Sequence, residues 1–230
     1  MPEANGKGKR GLFLSMEGPD GAGKTTQASL LKERLENLGL EVVLTREPGG
    51  TLIGEEIRKI LLNPDFQEMT VACEILLYSA ARAQLVSQCI YPSLRQGFII
   101  ISDRYLDSNI VYQGFAGGEK LEIINKINMW ATAQLLPDVT FLLDIDAEYG
   151  LLRLQRKGTG GANWRGDRME QKELEFHHKV RQGFLQLASL DPGRFFVIPA
   201  GDEPEVVHEK IWGKMQELLG KNPLLFLREP

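Results

Sequence analysis

Five short apolar runs alternate along the chain with longer stretches in which apolar residues recur every three or four positions. The short runs predict buried strands, and the longer stretches predict helices. Near-continuous apolar strands separated by helices are typical of a parallel sheet that is covered by helices on both faces, which is an α/β fold. The predicted strands are residues 11–16, 41–45, 98–102, 139–145 and 195–198, and the predicted helices include residues 27–38, 52–62 and 71–91.

A glycine-rich loop joins the first predicted strand to the first predicted helix, and it fits the pattern G-x-x-x-x-G-K-[ST] at every fixed position. Glycines let successive backbone N–H groups curl around an anion, and the helix N-terminus adds partial positive charge. Lys24 would reach the β- and γ-phosphates of ATP, and Thr25 would bind Mg²⁺, whereas a plain helix-capping turn needs neither side chain. The predicted ATP-binding residues are Gly18, Pro19, Asp20, Gly21, Ala22, Gly23, Lys24, Thr25 and Thr26.

Charged residues follow two further strands at their carboxyl ends, where ligands bind in parallel α/β sheets. Asp103 is expected to provide a second contact to Mg²⁺, and its alternative role is to cap the next helix. Arg104 is suited to bidentate capture of a second phosphate. Arg46 would converge on the same anion, unless it merely pairs with Glu47 or another acid. Two such arginines favour a phosphorylated acceptor.

Two pairs of polar residues on predicted helices are suited to a nucleobase. Tyr78 and Arg82 lie one turn apart on one helix face, where they offer a stacking surface and a hydrogen-bond donor. The alternative is a core tyrosine and a surface arginine. Asn109 and Tyr112 are three residues apart and would face the same way on a helix, and the amide of Asn109 offers both a donor and an acceptor.

A basic, glycine-rich stretch from Arg153 to Glu170 lies between two predicted helices. It predicts a mobile lid whose arginines close over the phosphates and neutralise the charge of the transition state. A solvated surface loop is the alternative. The candidate arginines are Arg153, Arg156, Arg165 and Arg168, of which Arg153 and Arg165 are favoured.

Composition narrows the classes of partner. The 230 residues suit one domain, and the net charge of −4 favours small phosphorylated ligands over nucleic acid. No apolar run is long enough to span a membrane, so no membrane partner is expected. Cys73 and Cys89 fall in a helix that is predicted to be mostly buried, which argues against a disulfide framework and favours the cytoplasm.

Five motifs together resemble those of the thymidylate kinase family, in the family's order, from about residue 12 to about residue 219. The resemblance implies a P-loop nucleoside-monophosphate kinase fold with a five-stranded parallel sheet flanked by helices and a short lid. It also implies a homodimer that transfers phosphate from ATP to dTMP with Mg²⁺. The motifs are Glu17–Thr26, Thr45–Thr51, Tyr78–Arg82, Asp103–Tyr105 and Ser108–Gly114.

The resemblance also implies roles for individual residues. Tyr78 would stack on thymine, with Arg82 at a base carbonyl and Asn109 nearby, and Gln113 belongs to the same substrate motif. Tyr112 would crowd the 2′ position of the sugar. The remaining implied roles are Arg46 and Arg104 at the dTMP phosphate, Asp20 near the metal and sugar, and Lys24, Arg104, Arg153 and Arg165 in catalysis.

The family divides according to where its catalytic arginine comes from. Gly21 stands where the eukaryotic type carries an arginine, so the chain resembles the bacterial type, which supplies this arginine from the lid. The implied organisation is an N-terminal tail of residues 1–10, a kinase domain of residues 11–220 with its lid at about 156–170, and a C-terminal tail of residues 221–230.

Two other functions are consistent with part of the pattern. One is a kinase of the same architecture that acts on another nucleotide or on a nucleoside, although a nucleoside kinase would not need two strand-end arginines. The other is a nucleotide switch or partition-type ATPase, which carries an extra lysine where Pro19 stands. A GTPase is disfavoured because Asn125–Asn128 ends in asparagine and lies in a predicted helix.

Overall fold

A computed structural model describes residues 11–157 and 166–221. Its five strands form one parallel sheet in the order β2-β3-β1-β4-β5. The strands are β1 Phe13–Glu17, β2 Val42–Arg46, β3 Ile99–Asp103, β4 Val139–Asp144 and β5 Phe195–Pro199. The helices are α1 Lys24–Glu36, α2 Leu52–Leu62, α3 Val71–Leu85, α4 Tyr91–Arg95, α5 Leu106–Asn109, α6 Leu121–Ala131, α7 Ala147–Lys157, α8 Leu174–Leu190 and α9 Pro204–Lys221.

The central strands are buried because helices cover both faces of the sheet. One apolar cluster includes Leu14, Met16 and Phe141 with residues of α1 and α9. A second cluster, on the other face, includes Phe13 and Ile100 with residues of α3 to α6. The predicted α/β fold and the five strands are therefore confirmed, with strand ends that differ by one or two residues.

The helices depart from the sequence prediction at three points. The first helix begins at Lys24, directly after the glycine loop, and ends at Glu36. The helix predicted for residues 71–91 runs on to Arg95 through a wider π-helical turn at Val86–Ile90. Cys73 is exposed near the start of α3, so the prediction that both cysteines are mostly buried is wrong for this one.

The register of the sheet brings the chemically important strand ends together. Asp103 lies between Met16 of β1 and Arg46 of β2 in the parallel pairing. Because the glycine loop leaves β1 two residues after Met16, the loop, Asp103 and Arg46 emerge at one edge of the sheet.

Candidate active site

One cleft of about 770 Å³ opens at the carboxyl edge of the sheet, and most of the residues that the sequence singles out line it. Arg165, residues 1–10 and residues 222–230 lie outside the described residues, and Gly18, Pro19 and Ala22 do not line the cleft. The predicted residues that line the cleft are Asp20, Gly21, Gly23, Lys24, Thr25, Thr26, Arg46, Tyr78, Arg82, Asp103, Arg104, Asn109, Tyr112, Gln113 and Arg153.

The glycine loop requires glycine at specific positions. Gly21 has a φ of +77°, and a Cβ added there would lie 2.0 Å from the carbonyl oxygen of Gly150 in α7. An arginine at position 21, as in the eukaryotic type, would therefore collide with the backbone of α7. Gly18 has a φ of +142° and packs in the same way against the carbonyl of Leu143. The loop is held by its close approach to α7 and β4.

Lys24 folds back over the glycine loop. Its Nζ donates to the carbonyl of Gly18 at 3.0 Å and to that of Pro19 at 2.7 Å. Burial, with the nearby Arg104 guanidinium, lowers the pKa of Lys24 to about 8. A phosphate in the loop would supply the countercharge that the two carbonyls lack.

Two oxygen-bearing side chains meet beside the loop, where the sequence predicts Mg²⁺. The Oγ1 of Thr25 donates to the Oδ2 of Asp103. Hydroxyl and carboxylate oxygens are the ligands that Mg²⁺ prefers in proteins. No side chain caps α5, so the alternative role of Asp103 as a helix cap is wrong.

Arg104 reaches across the cleft from the end of β3. Its guanidinium forms an ion pair with Asp20 and donates to the carbonyl of Gly18 at 3.2 Å, to Ser108 Oγ at 3.0 Å and to the Tyr112 hydroxyl at 3.2 Å. Burial by itself would raise the pKa of Asp20, but Arg104 and Lys24 together hold it below its usual value. The backbone of Arg104 adopts a φ of +69°, which is uncommon for a residue with a side chain.

Glu17 holds the turn that carries Arg104, a role that the sequence reasoning missed. Its carboxylate accepts from the backbone N–H of Tyr105 at 2.7 Å and from the Ser108 hydroxyl at 2.6 Å. Burial, with repulsion from Asp107, raises the pKa of Glu17 to about 7. The signal was a charged residue at the end of a largely apolar strand.

Arg46 lies at the open side of the cleft and pairs with Glu55 of α2 at 3.0 Å. Its possible partner Glu47 pairs instead with Arg82. Arg58 of α2 also lines the cleft and donates to the carbonyl of Pro48 at 2.9 Å. Nothing in the sequence distinguishes Arg58 from other helix-surface arginines, so its place in the cleft was missed.

The far end of the cleft is lined by side chains that the core holds in place. Arg82 is 1% exposed, so the alternative of a surface arginine is wrong. Its Nε donates to Glu47 at 2.7 Å and its Nη1 to Asn128 at 2.7 Å. Tyr78 is half-buried on the same helix and lines the cleft.

Asn109 and Tyr112 lie where α5 passes into the π-helical segment Ile110–Ala116. Both line the cleft, but they contact different groups. Asn109 donates to Gln113 at 2.7 Å, whereas the Tyr112 hydroxyl donates to Asp20 at 2.8 Å. The Tyr112 ring packs edge-on against Phe184.

The lid region contributes side chains from both of its described flanks. Asp167 and Glu170 line the cleft, whereas Arg168 is 1% exposed and forms an ion pair with Glu74. Arg153 lines the cleft from α7, and its guanidinium donates to the carbonyls of residues 200, 201 and 202 after β5. Its hydrogen bonds thus reach the loop after β5, and its predicted catalytic role stays a prediction.

A five-stranded parallel sheet with this phosphate loop and with arginines at the ends of β2 and β3 defines a P-loop nucleoside-monophosphate kinase. Comparison with known proteins narrows the class further. The model of the family "Thymidylate kinase" matches residues 16–211 of the chain. The chain belongs to the thymidylate kinase family.

Individual relatives agree with this assignment. A thymidylate kinase of Pelotomaculum thermopropionicum is 44% identical over 91% of this chain and 95% of its own length. One from Roseiflexus sp. is 47% identical over 87% of this chain and 91% of its own length. The crystal structure of thymidylate kinase from Ehrlichia chaffeensis superposes with a TM-score of 0.73 at 33% identity, and it covers 90% of this chain and 99% of that one.

Membership of this family identifies the reaction that the protein catalyses. The enzyme transfers a phosphoryl group from ATP to dTMP and releases ADP and dTDP. Both alternative functions, a kinase for another acceptor and a nucleotide switch, are therefore wrong. Within the described residues, no helix has the length and apolar character to cross a membrane.

Proposed function

We propose that the cleft binds the two substrates at opposite ends, with ATP on the glycine loop and the dTMP base between α3 and α5. The main support for this proposal is that one continuous cleft is lined by Lys24, Asp103, Arg104 and Tyr78. In this arrangement residues 18–26 bind the ATP phosphates. Lys24 exchanges its hydrogen bonds to the loop carbonyls for hydrogen bonds to the phosphates, whose negative charge it neutralises.

The acceptor phosphate lies between Arg46 and Arg104 in this proposal. Each guanidinium now pairs with a carboxylate, Glu55 or Asp20, which a phosphate would replace as the counterion. The dTMP phosphate is already an anionic nucleophile, so positioning and charge neutralisation carry the reaction without a strong general base.

Mg²⁺ is proposed to lie between Thr25 and Asp103, with Asp20 nearby. The two contacting oxygens fit a hard cation, and bound Mg²⁺ would neutralise negative charge on the ATP phosphates. The protein's own part is to hold the two oxygens together at the start of α1 and at the end of β3.

The base and sugar are proposed to lie against five further residues of the cleft. Tyr78 stacks on thymine, Arg82 and Asn109 contact its polar edge, with Gln113 next to Asn109, and Tyr112 closes the space beside the 2′ carbon. The support is that these side chains line the cleft and that all but Tyr78 are nearly buried. Buried groups of fixed orientation discriminate best between related bases.

The lid is proposed to span about residues 156–170 of a kinase domain at 11–220. Arg165, outside the described residues, would act with Arg153 on the transferring phosphoryl group. Asp167 and Glu170 support this proposal because they face the cleft at the lid's C-terminal flank. Closure would exclude water and so suppress hydrolysis of ATP.

A coupled ADP-release assay tests the substrate assignments. We expect strong turnover with dTMP, weaker turnover with dUMP, and little with dCMP, dGMP, AMP or UMP. Arg104→Ala should lower kcat/KM for dTMP by about 10²-fold or more, because it removes a cation from the reacting phosphate. Turnover of Arg104→Ala within a few-fold of the parent would remove Arg104 from the mechanism.

A homodimer is proposed through the face formed by α2, α3 and α6. These helices pack side by side and expose large apolar side chains, among them Leu76, which is 61% exposed, and Trp130, which is 79% exposed. Apolar patches of this kind mark association surfaces. Light scattering should give twice 25.8 kDa for the parent. Leu76→Glu should give the monomer, whereas Leu190→Glu on α8 should leave the dimer intact.

The enzyme is proposed to work in the cytoplasm. Both cysteines are free thiols, and Cys73 is exposed. An exposed thiol persists best in a reducing compartment. Fractionation of cells that express the tagged chain would test this, and recovery outside the cytoplasm would contradict it.

A further inference from the structure

A chain of buried side chains runs from the loop after β2 to the C-terminal flank of the lid. Each end is an ion pair, and two amides join the two pairs. No member is more than 5% exposed. This polar chain consists, in order, of Glu47, Arg82, Asn109, Gln113, Glu74 and Arg168.

The direction of every hydrogen bond in the polar chain follows from its charged members. A carboxylate only accepts, so Gln113 must turn its NH₂ group towards Glu74, and its Nε2 lies 2.9 Å from Glu74 Oε2. Its Oε1 therefore faces Asn109 and accepts from Nδ2 at 2.7 Å. The Oδ1 of Asn109 then faces Arg82, which only donates, with Nη1 at 3.4 Å.

Arg168 is the last member of the polar chain and donates to Glu74. It pairs with Oε1 of Glu74 and leaves Oε2 for Gln113. Its Nε donates to the carbonyl of Leu61 at 3.0 Å, which anchors it against α2. Neither Glu74 nor Arg168 lines the cleft, so both act on the nucleotide only through other residues.

We propose that Glu74, held in place by its ion pair with Arg168, is a positioning residue that selects the pyrimidine by fixing the amide orientation of Gln113 and Asn109. A 4-oxo pyrimidine such as thymine presents an acceptor at O4 beside a donor at N3. A 4-amino pyrimidine such as cytosine presents the opposite pattern. An edge of fixed donor and acceptor order accepts one pattern and leaves buried groups unpaired against the other.

The decisive variant is Glu74→Gln. Its side-chain oxygen would face Arg168, which only donates, so its NH₂ group would face Gln113 and oppose the amide order that Arg82 sets from the other end. We expect the ratio of kcat/KM for dTMP to that for dCMP to fall about tenfold or more. The matched control is Arg168→Lys, which disturbs the same ion pair but keeps a positive charge beside Glu74. Its thermal midpoint should fall while its ratio stays at the parent value.

A second variant covers the case in which Glu74→Gln does not fold because Arg168 is left unpaired. Glu74→Gln combined with Arg168→Met removes both charges. Only the long 3.4 Å contact of Arg82 Nη1 with Asn109 Oδ1 would then order the two amides, so its ratio should also fall. A folded variant of either kind that keeps the parent ratio overturns the proposal. So does an Arg168→Lys ratio that falls as far as that of Glu74→Gln, because general disruption would then explain both.

The proposal rests on the base contacts proposed above, and Asn109→Leu separates the two. If this variant leaves KM and kcat for dTMP unchanged, Asn109 does not contact the base, and both proposals fail. If it raises KM for dTMP while Glu74→Gln keeps the parent ratio, the base contact stands and only the orienting role of Glu74 is overturned.

Discussion

The two ends of the cleft satisfy their charged side chains in different ways. At the phosphate end Lys24 donates to carbonyls of its own loop, and Arg104 pairs with Asp20, within the space proposed for phosphates. At the base end Arg82 and Glu47 form an ion pair in which each side chain is at most 4% exposed. The first set of partners can be exchanged for a ligand, whereas the second belongs to the folded core.

At the phosphate end, side chains proposed for function therefore destabilise the fold. At the base end, side chains proposed for function also stabilise it. The pKa of Lys24 falls to about 8 because burial disfavours its charge, so the folded chain holds this cation at a cost. The guanidinium of Arg82 has three side-chain acceptors, Glu47, Asn109 and Asn128. Functional sites commonly carry such destabilising groups, which the rest of the fold offsets.

The largest expected effect is a loss of stability when a side chain at the base end is changed. Arg82→Met should lower the free energy of unfolding by about 3–5 kcal/mol, because it leaves the Glu47 carboxylate buried without a partner. Urea unfolding followed by circular dichroism measures this change. The double variant Glu47→Gln with Arg82→Met removes the stranded charge and should recover part of the loss. A single variant as stable as the parent would erase the distinction between the two ends.

The next effect is at the phosphate end, where activity and stability should move in opposite directions. Lys24→Met should lower kcat by about 10²–10³-fold, because a preorganised cation no longer meets the charge of the transition state. Its thermal midpoint at pH 7 should rise, because a buried and poorly paired cation is gone.

Lys32→Met is the matched control for Lys24→Met, on the same helix. Lys32 pairs with Glu36 near the surface and lies away from the cleft. We expect both its turnover and its thermal midpoint to stay near those of the parent, since exposed pairs contribute little. If Lys24→Met lost stability as well as activity, the phosphate end would be part of the folded core like the base end.

The contrast also explains what the sequence could predict. The phosphate end depends on local order: a glycine loop between a strand and a helix, and charges directly after strands. Lys24, Thr25, Asp103 and Arg104 could therefore be placed from the sequence, because parallel strands bring their carboxyl ends to one edge of the sheet. The alternating pattern likewise predicted all five strands.

The base end depends on partners that are distant in the chain, and no local pattern announces them. Glu74 and Arg168 are 94 residues apart, and Arg82 and Glu47 are 35 apart. The burial of Arg82 follows from those partners, so helical spacing alone left a surface arginine open. Arg58 was missed for the same reason: its place in the cleft comes from the way α2 docks.

A further test uses pH to vary the destabilisation that the buried charge of Lys24 causes. Its folded pKa, about 8, lies below the ordinary value of 10.5, so between these pH values the unfolded chain binds more protons and stability rises with pH. The stability advantage of Lys24→Met over the parent should be largest below pH 8 and should shrink towards pH 10.5. An advantage that does not change with pH would show that the charge is not its source.

The smallest effect concerns Glu17, which lies under the phosphate end and also holds part of the fold. Burial and Asp107 raise its folded pKa from 4.5 to about 7, so the folded chain keeps a proton that the unfolded chain releases. This contribution is complete below pH 4.5 and is lost as the pH rises through 7. Glu17→Gln cannot titrate, and its amide retains an acceptor for the N–H of Tyr105.

The variant Glu17→Gln should therefore gain stability relative to the parent as the pH rises from 4.5 to 7, by about 2–3 kcal/mol in total. Urea unfolding at several pH values measures the difference. Its turnover of dTMP should fall only modestly, since Glu17 acts on Arg104 through the turn at Tyr105 and Ser108. If the two proteins kept a constant stability difference over this range, Glu17 would be ionised throughout. Its carboxylate would then belong with the stably paired groups of the base end.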